Sequence, residues 1–535
     1  MSDGVATTLA VLQKTQNEAA VRVLVPALDS PDPAIQDGAL KALLVRKNRS
    51  GHREILRRLP RMPARWRTIV RQHQGRLAGA LRDAILGVDA QVCLIACEAA
   101  VWFQEYDLIP TLLNALDGRG RVPVEVLART VLTLCQSLYD ELAGPRDYTM
   151  PRDPKTVRGQ ILPALGESVS RYQGHRRGEV LEAYLLLAGR DDISLKKILL
   201  NPHHAAFLPI MDLLSKSESG GILRLLLSLL DDPHIPSSVL GVIAKRSDQR
   251  FVQHLLAKLG GEPSPAALQN LKKVQTVGWF HEGVAFLNQL DEPAQQGVVR
   301  LVMNSGVPRL QAFTVIQQLL MCGKPGGRRA AARALAEFSG ADANALAVRA
   351  VDDPDPQVQA AVVRQLRRRG IPGVLPRMVE LLDSPHAEVR AAARENLSEF
   401  TIQRFLAAHD LLDDEVRAST ALLVKKADPH TVSVLRQELK SNIRSRRLRG
   451  LSAACAMDCV EPLEDMIIEL LGDADHIVRC EAVEALGRCA SPASRDAIEQ
   501  AQYDGTEMVR QAATRSLHQH AAFSNWREAL ADPRD

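Results

Sequence analysis

Eight cysteines and fourteen histidines are the side chains of this 535-residue chain with the most chemistry to offer, yet their spacing does little with it. Cys93 with Cys97, and Cys455 with Cys459, stand four residues apart, so on a helix each pair shares a face and two sulfurs could enter one metal site. Small polarizable residues filling a helix interface explain the same spacing without a metal. Cys459 and Cys489 occupy equivalent places about one helix pair apart, but stacked helices lie roughly 8–10 Å apart, too far for two sulfurs on one zinc. His203 and His204 are adjacent and do not share a face easily. Gly323 and Lys324 lack the upstream glycine and the following hydroxyl of a phosphate-binding loop. His-Glu-x-x-His and Gly-x-Ser-x-Gly are absent from the chain. Trp66, Trp102 and Trp279 are scattered through three regions with no acid beside them in a catalytic arrangement. No catalytic residue, metal-ligand set or cofactor is predicted.

The strongest chemical signal is electrostatic. Eleven Lys or Arg (Arg46, Lys47, Arg49, Arg53, Arg57, Arg58, Arg61, Arg65, Arg67, Arg71 and Arg76) face one acid, Glu54, between positions 46 and 76. Pro60 and Pro63 split this stretch into a short helix near 52–59 and a longer one over 64–86. On the longer helix Trp66, Ile69, Val70, His73 and Leu77 share a face, so Arg67 and Arg71 point elsewhere. Arg53, Arg57, Arg58, Arg61, Arg65, Arg67 and Arg71 are therefore candidate ligands for nucleic acid, phospholipid headgroups or an acidic protein. The competing reading pairs them with acids elsewhere in the chain. His73 reads as a core or edge histidine. A second patch is Lys440, Arg444, Arg446, Arg447 and Arg449; Arg449 belongs to the repeat register, and the other four either extend the anion surface or, the preferred reading, form the solvated side of a short helix. The run Arg364, Arg367, Arg368 and Arg369 closes a helix, where positive charge complements the dipole and needs no ligand.

What must position these groups is legible in the stretch 381–397, LLDSPHAEVRAAARENL. Leu381 and Leu382 end one apolar run, Asp383 and Ser384 offer cap oxygens, and Pro385 suits an early helical position. Val389, Ala392, Ala393 and Leu397 then form one helical stripe. Val389 has counterparts at Gly327, Val358, Val416, Leu448, Val478 and Val509, in steps of 31, 31, 27, 32, 30 and 31 residues. Eight residues after each anchor stand Leu335, Leu366, Leu397, Val424, Ala456, Leu486 and Leu517. Such a period means stacked helix pairs, each sharing its core with the next. Bases follow most anchors (Arg328, Arg390, Arg417, Arg449, Arg479, Arg510), and acids precede them (Asp352, Asp383, Asp410, Asp473, Asp504). In register, they predict a ladder of charge-assisted bonds along the stack.

This combination resembles the HEAT repeats, in particular the short bacterial kind of phycobilisome-lyase type. The resemblance covers about 323–520 and returns at 28–43 (LDSPDPAIQDGALKAL); Gln36, Gln359 and Gly327 depart from it. It implies an all-α fold, an α-solenoid or superhelical array of antiparallel helix pairs of the armadillo type. Such arrays include bilin lyases and a class of DNA glycosylases, whose active residues have no match here.

Composition agrees, with 4% aromatic residues and a formal charge of only +4. The organisation expected is 1–143 as N-terminal repeats, 144–158 as a loop or hinge, 159–322 as degenerate repeats, and 323–535 as regular repeats. A polar loop is expected at 117–123, and Phe523–Leu530, with Trp526, is expected to cap the last repeat. With no run of apolar residues long enough for a membrane span and no secretory leader, a cytoplasmic protein is expected. Its expected function is a non-catalytic scaffold that binds another protein through an extended concave surface. Nucleic-acid binding at 46–76 is the alternative, and an enzyme of the lyase or glycosylase kind a more remote one.

Overall fold

A computed structural model describes residues 3–73, 75–116, 124–145, 153–282 and 285–518. Among these residues every regular element is a helix, and no strand occurs. The loop expected at 117–123, the central part of 144–158 and the cap at Phe523–Leu530 lie outside the described residues. The chain forms two compact units, Met1–Ala312 and Phe313–Asp535. Each is an α-solenoid of short antiparallel helices.

The recurring turn explains itself residue by residue. Asp32 accepts from the Ala34 amide, Asp355 from Gln357 and Asp475 from Ile477, so one carboxylate satisfies an amide that the helix itself leaves unpaired. Pro33 and Pro356 follow directly at the first helical position, where a missing N–H costs nothing. The stretch 381–397 departs from this pattern. There Asp383 ends a 3-10 turn, His386 occupies the cap position without a side-chain bond, and Pro385 lies before the helix Ala387–Asn396. His386 stands in the register place that Asp32, Asp355 and Asp475 fill, three residues before the anchor, so the cap position is kept and its carboxylate is missing.

Val358, Val389, Val478 and Val509 are buried, as the register requires, and Leu335, Leu366, Leu397, Val424 and Leu486 are buried eight residues on. Val416 is not: it is 44% exposed, and its helix, Asp414–Ala427, buries Ala421, Val424 and Ala427 instead. The short step of 27 residues carries the reason. This helix starts one turn early, so its first turn projects beyond the shared core.

Two further differences are local. The helix expected over 64–86 is broken into Ala64–Gln72 and Ala78–Ile85, with Gly75 between them at φ 80°. That left-handed conformation suits glycine. The expected apolar face survives the break, since Trp66, Ile69, Val70 and Leu77 are buried, while His73 bonds the Ile69 carbonyl from the edge at 2.9 Å. In the region 263–290 the hairpins give way to 3-10 turns at Gly278–Glu282 and Ala285–Gln289, where Trp279 packs edge-on against Phe280 and Phe286. Helix Glu292–Asn304 then approaches Gln249–Gly260 so closely that a side chain at Gly297 would collide with the Leu256 carbonyl.

Candidate functional site

The arginines of 46–76 are largely committed within their own unit. Arg58 bonds Asp29 at 2.7 Å and Glu54 at 2.8 Å; Arg57 shares Glu54; Arg65 bonds Asp37 at 2.9 Å and also reaches Gln36. The Arg58 hydrogen bond holds the Asp29 carboxyl below its ordinary value of 3.8. Arg67 lies over the Trp102 ring, 4.1 Å from its centroid, and Arg71 donates to the Trp102 carbonyl. Arg46 donates to the carbonyls of Leu12, Thr15 and Asn17. Of the seven candidates, Arg53 and Arg61 are exposed and have no bond among the described residues. Asp29 and Asp37, one repeat upstream, answer two of the charges, at Arg58 and Arg65, that look unbalanced when only the local sequence is counted.

The acids and bases set in register pair along the stack at few places. Arg328 reaches Asp353 at 3.0 Å and Arg479 reaches Asp504 at 2.9 Å, each pair 25 residues apart. Asp473 is taken by Arg447 at 2.8 Å, in place of Arg449. Arg449 and Arg446 turn instead to Glu438, whose burial opposes ionisation but whose two arginine bonds outweigh it and hold its carboxyl below the ordinary value. Asp352 meets Arg377, Asp383 meets Lys426 and Asp410 meets His409, all away from the ladder line. Arg390, Arg417 and Arg510 donate to carbonyls of their own turn, at Ser384, Leu412 and Asp504.

That backbone bond is the constant part. Gln36, Gln359, Arg447 and Arg479 donate to the carbonyls of Ser30, Asp353, Ser441 and Asp473, in every case six residues upstream. A glutamine does this as well as an arginine, which is why Gln36 and Gln359 are not defects. The acid pair is added only where the next turn presents a carboxylate at the right height.

A second set of bonds was not legible in the ladder pattern. Arg46, Arg246 and Arg369 each reach carbonyls at the end of the preceding repeat, 29 to 34 residues upstream: Leu12, Thr15 and Asn17; Leu214 and Ser217; Leu335 and Phe338. Cations there satisfy helix-end carbonyls and the dipole together. Arg369 complements a dipole as expected, but that of its neighbour. The signal available in the sequence was an arginine recurring about one repeat after a helix end.

In the Phe313–Asp535 unit, second helices lie side by side. The Gln365 amide donates to the carbonyls of Ala332 at 2.7 Å and Ala361 at 2.9 Å, and Asn396, in the equivalent place, to Val363 at 2.8 Å and Ala392 at 2.9 Å. These buried amides bolt Pro325–Ala334, Pro356–Leu366 and Ala387–Asn396 into a row. Over the row runs a groove of about 1100 Å³. Its lining includes Ala336, Ala360 and Ala361, and around these stand Arg333, Arg364, Arg367, Arg368 and Arg369 with Glu388 and Glu395. Arg364 pairs with Glu395 at 3.1 Å, and Arg367 with Glu399. Arg333 and Arg368 are exposed and make no ion pair or hydrogen bond among the described residues. Arg333 was not a candidate on sequence grounds, and its neighbours Arg364 and Arg367–Arg369 were read as needing no ligand.

The cysteines and histidines come together nowhere as a site. All eight thiols are unpaired, and no group of three or more His, Cys, Asp or Glu poised for a metal occurs among the described residues. Cys93 and Cys97 do share the helix Ala90–Phe103, buried in its packing. Cys455 and Cys459 do not share one: the helix ends at Ala456, and Asp458 turns the chain at φ 50°.

Residues 314–398 and 429–518 match the family model of HEAT repeats, so these stretches are HEAT repeats. The gap between the two matches contains Asp414–Ala427, the helix whose register slips. Among solved structures the chain is similar to one from a study of a phosphorylation switch between cadherin and beta-catenin. The identity there is 13%, over 94% of this chain and 99% of that one, with a TM-score of 0.41. It is also similar to importin beta at 14% identity, over 99% of this chain and 83% of that one, with a TM-score of 0.28. A chain of a Kap95:Nup1 complex is 12% identical over 98% and 81%, with a TM-score of 0.28. No curated protein matches the chain in sequence.

Proposed function

We propose that this HEAT-repeat chain is a non-catalytic scaffold that holds a segment of another protein across the second helices of its C-terminal unit. The observation that carries this reading is the groove over Pro325–Asn396, an open channel on a row of helices locked by Gln365 and Asn396. A stacked array offers a long, pre-ordered surface, so a partner pays little to organise it. A lyase or glycosylase reading would call for a buried carboxylate beside two aromatics. Here the lining carboxylates, Glu388 and Glu395, are exposed, and Phe338 is the one lining aromatic. The unpaired thiols suit a reducing compartment such as the cytoplasm. No helix among the described residues is long and apolar enough to cross a membrane.

Polyanion binding at 46–76 is the weaker reading, because Arg57, Arg58, Arg65, Arg67 and Arg71 already have partners, which leaves Arg53 and Arg61 of the seven candidates, with Lys47 and Arg49 beside them, exposed and without a bond among the described residues.

Site-specific photo-crosslinking in source cells tests the proposal. A photoreactive residue at Gln357 or Glu388, both exposed in the groove, is expected to capture a discrete partner protein. The same residue at Arg349 or Glu380, exposed on first helices, is expected to capture none. Equal labelling from all four positions, or none, would sink the scaffold reading of this face.

A further inference from the structure

We propose that the groove takes an extended acidic segment of the partner, with carboxylates about three residues apart. This rests on the scaffold reading and deepens it. Arg333 and Arg364 occupy the same place on adjacent second helices, 31 positions apart in sequence, and both line the channel. Neighbouring helix axes lie roughly 8–10 Å apart. A chain in the extended polyproline-II conformation has three residues per turn and rises about 3.1 Å per residue, so side chains three residues apart share one face and match that interval.

The charge balance points the same way. Five arginines line the groove against two glutamates, and one of those glutamates, Glu395, is already bound to Arg364. Both members of that pair are about half exposed, at 47% and 58%, so water screens it and an incoming carboxylate exchanges for Glu395 at little cost. Arg333 and Arg368 need no exchange at all. Arg369 stays out of recognition, since its guanidinium is spent on Leu335, Phe338, Asn344 and Gln365. It is a positioning residue that holds the wall. Alanines at Ala336, Ala360 and Ala361 leave room for a backbone to lie against the helices.

The alternative to an acidic peptide is a nucleic acid, whose phosphates would also pair with arginine. The groove disfavours it on one count: Phe338 is the sole aromatic lining it, so bases find no stacking platform.

Fluorescence polarisation with the full chain distinguishes these. The probes are a labelled Gly/Ser peptide with glutamate at every third position, the same peptide with glutamine, one with the glutamates clustered, and an oligouridylate. The spaced-glutamate peptide is expected to bind, and affinity should fall with salt. R333E/R368E should weaken it about tenfold, while R53E/R61E in the other unit should not change it. Because a charge reversal could perturb folding, R333Q/R368Q is run beside it with helicity as the check, and R333K/R368K should recover most of the affinity. Equal binding of the glutamine peptide, or undiminished binding by a folded R333Q/R368Q, would overturn the inference. So would tighter binding of oligouridylate, lost in the same variant. Preference for clustered glutamates would overturn the three-residue spacing. If crosslinking from Gln357 persists while every acidic peptide fails, the scaffold reading stands and this one falls.

Discussion

Two arginine-rich regions of this protein look alike in sequence and differ in what they leave available. The stretch 46–76 has the highest local charge, yet Arg46, Arg57, Arg58, Arg65 and Arg67 are drawn down onto Asp29, Asp37, Glu54, the Trp102 ring and the carbonyls of Leu12, Thr15 and Asn17. The run Arg333–Arg369 is less dense, but Arg333 and Arg368 line an open groove and have no ion pair or hydrogen bond among the described residues. In a stacked array the residues that answer a charge sit one repeat away. Local density therefore measures the cost of building the turn, and availability is decided by the neighbour's turn.

The largest expected effect tests whether the groove depends on the shared core. Val389→Asp puts an unpaired carboxylate among Ala392, Ala393 and their neighbours, and should cost about 4 kcal/mol or more. The same change at Val416, its register counterpart, should stay within roughly 0.5 kcal/mol because that side chain projects into water. Chemical denaturation of both variants is the measurement. Equal losses would mean that the helix Asp414–Ala427 is not displaced from the stack.

Next in size is the contrast between committed and open arginines. Arg46→Ala strands the carbonyls of Leu12, Thr15 and Asn17 and should destabilise the N-terminal unit by about 1–3 kcal/mol. Arg58→Glu should also destabilise, since it would set a third acid beside Asp29 and Glu54. Arg53→Ala should do neither. If thermal melts of Arg46→Ala and Arg53→Ala coincide, the claim that 46–76 is spent on structure fails.

A smaller effect separates the units by pH. The Arg479 hydrogen bond holds Asp504 below its ordinary value of 3.8, and Arg58 does the same for Asp29. A folded-state value below the unfolded one adds stability that is complete above about pH 4 and drains away as pH falls through the folded value. Stability measured downward from pH 5 should therefore fall less steeply in Asp504→Asn and Asp29→Asn than in the parent chain. Because Asp29 is 60% exposed and Asp504 only 16%, the Asp504 change should flatten the acid limb more.

How much of this the sequence carried depends on range. The helical stripe, the aspartate-proline caps and the buried Val389 set are local periodicities, and they read through. Bonds that cross between repeats do not, because the partner's height depends on small insertions. A step of 27 between register positions exposes Val416. Arg447 displacing Arg449 at Asp473 is the same effect, a shift of two residues on one helix. The groove was the least legible, since it depends on which arginines fail to find a partner.

The smallest stability effect is expected where the effect on binding is largest. Arg333 has no bond among the described residues, so Arg333→Gln removes only a solvated charge, and should leave the unfolding midpoint within roughly 0.5 kcal/mol of the parent. Arg369→Gln gives up bonds to Leu335 and Phe338 and should cost about 1–3 kcal/mol while affecting an acidic ligand only through the loosened wall. Measured together, the two substitutions separate a surface kept free for a partner from one consumed in holding repeats together. A stable Arg369→Gln beside a destabilised Arg333→Gln would invert that assignment, and the N-terminal stretch would then regain its claim as the binding face.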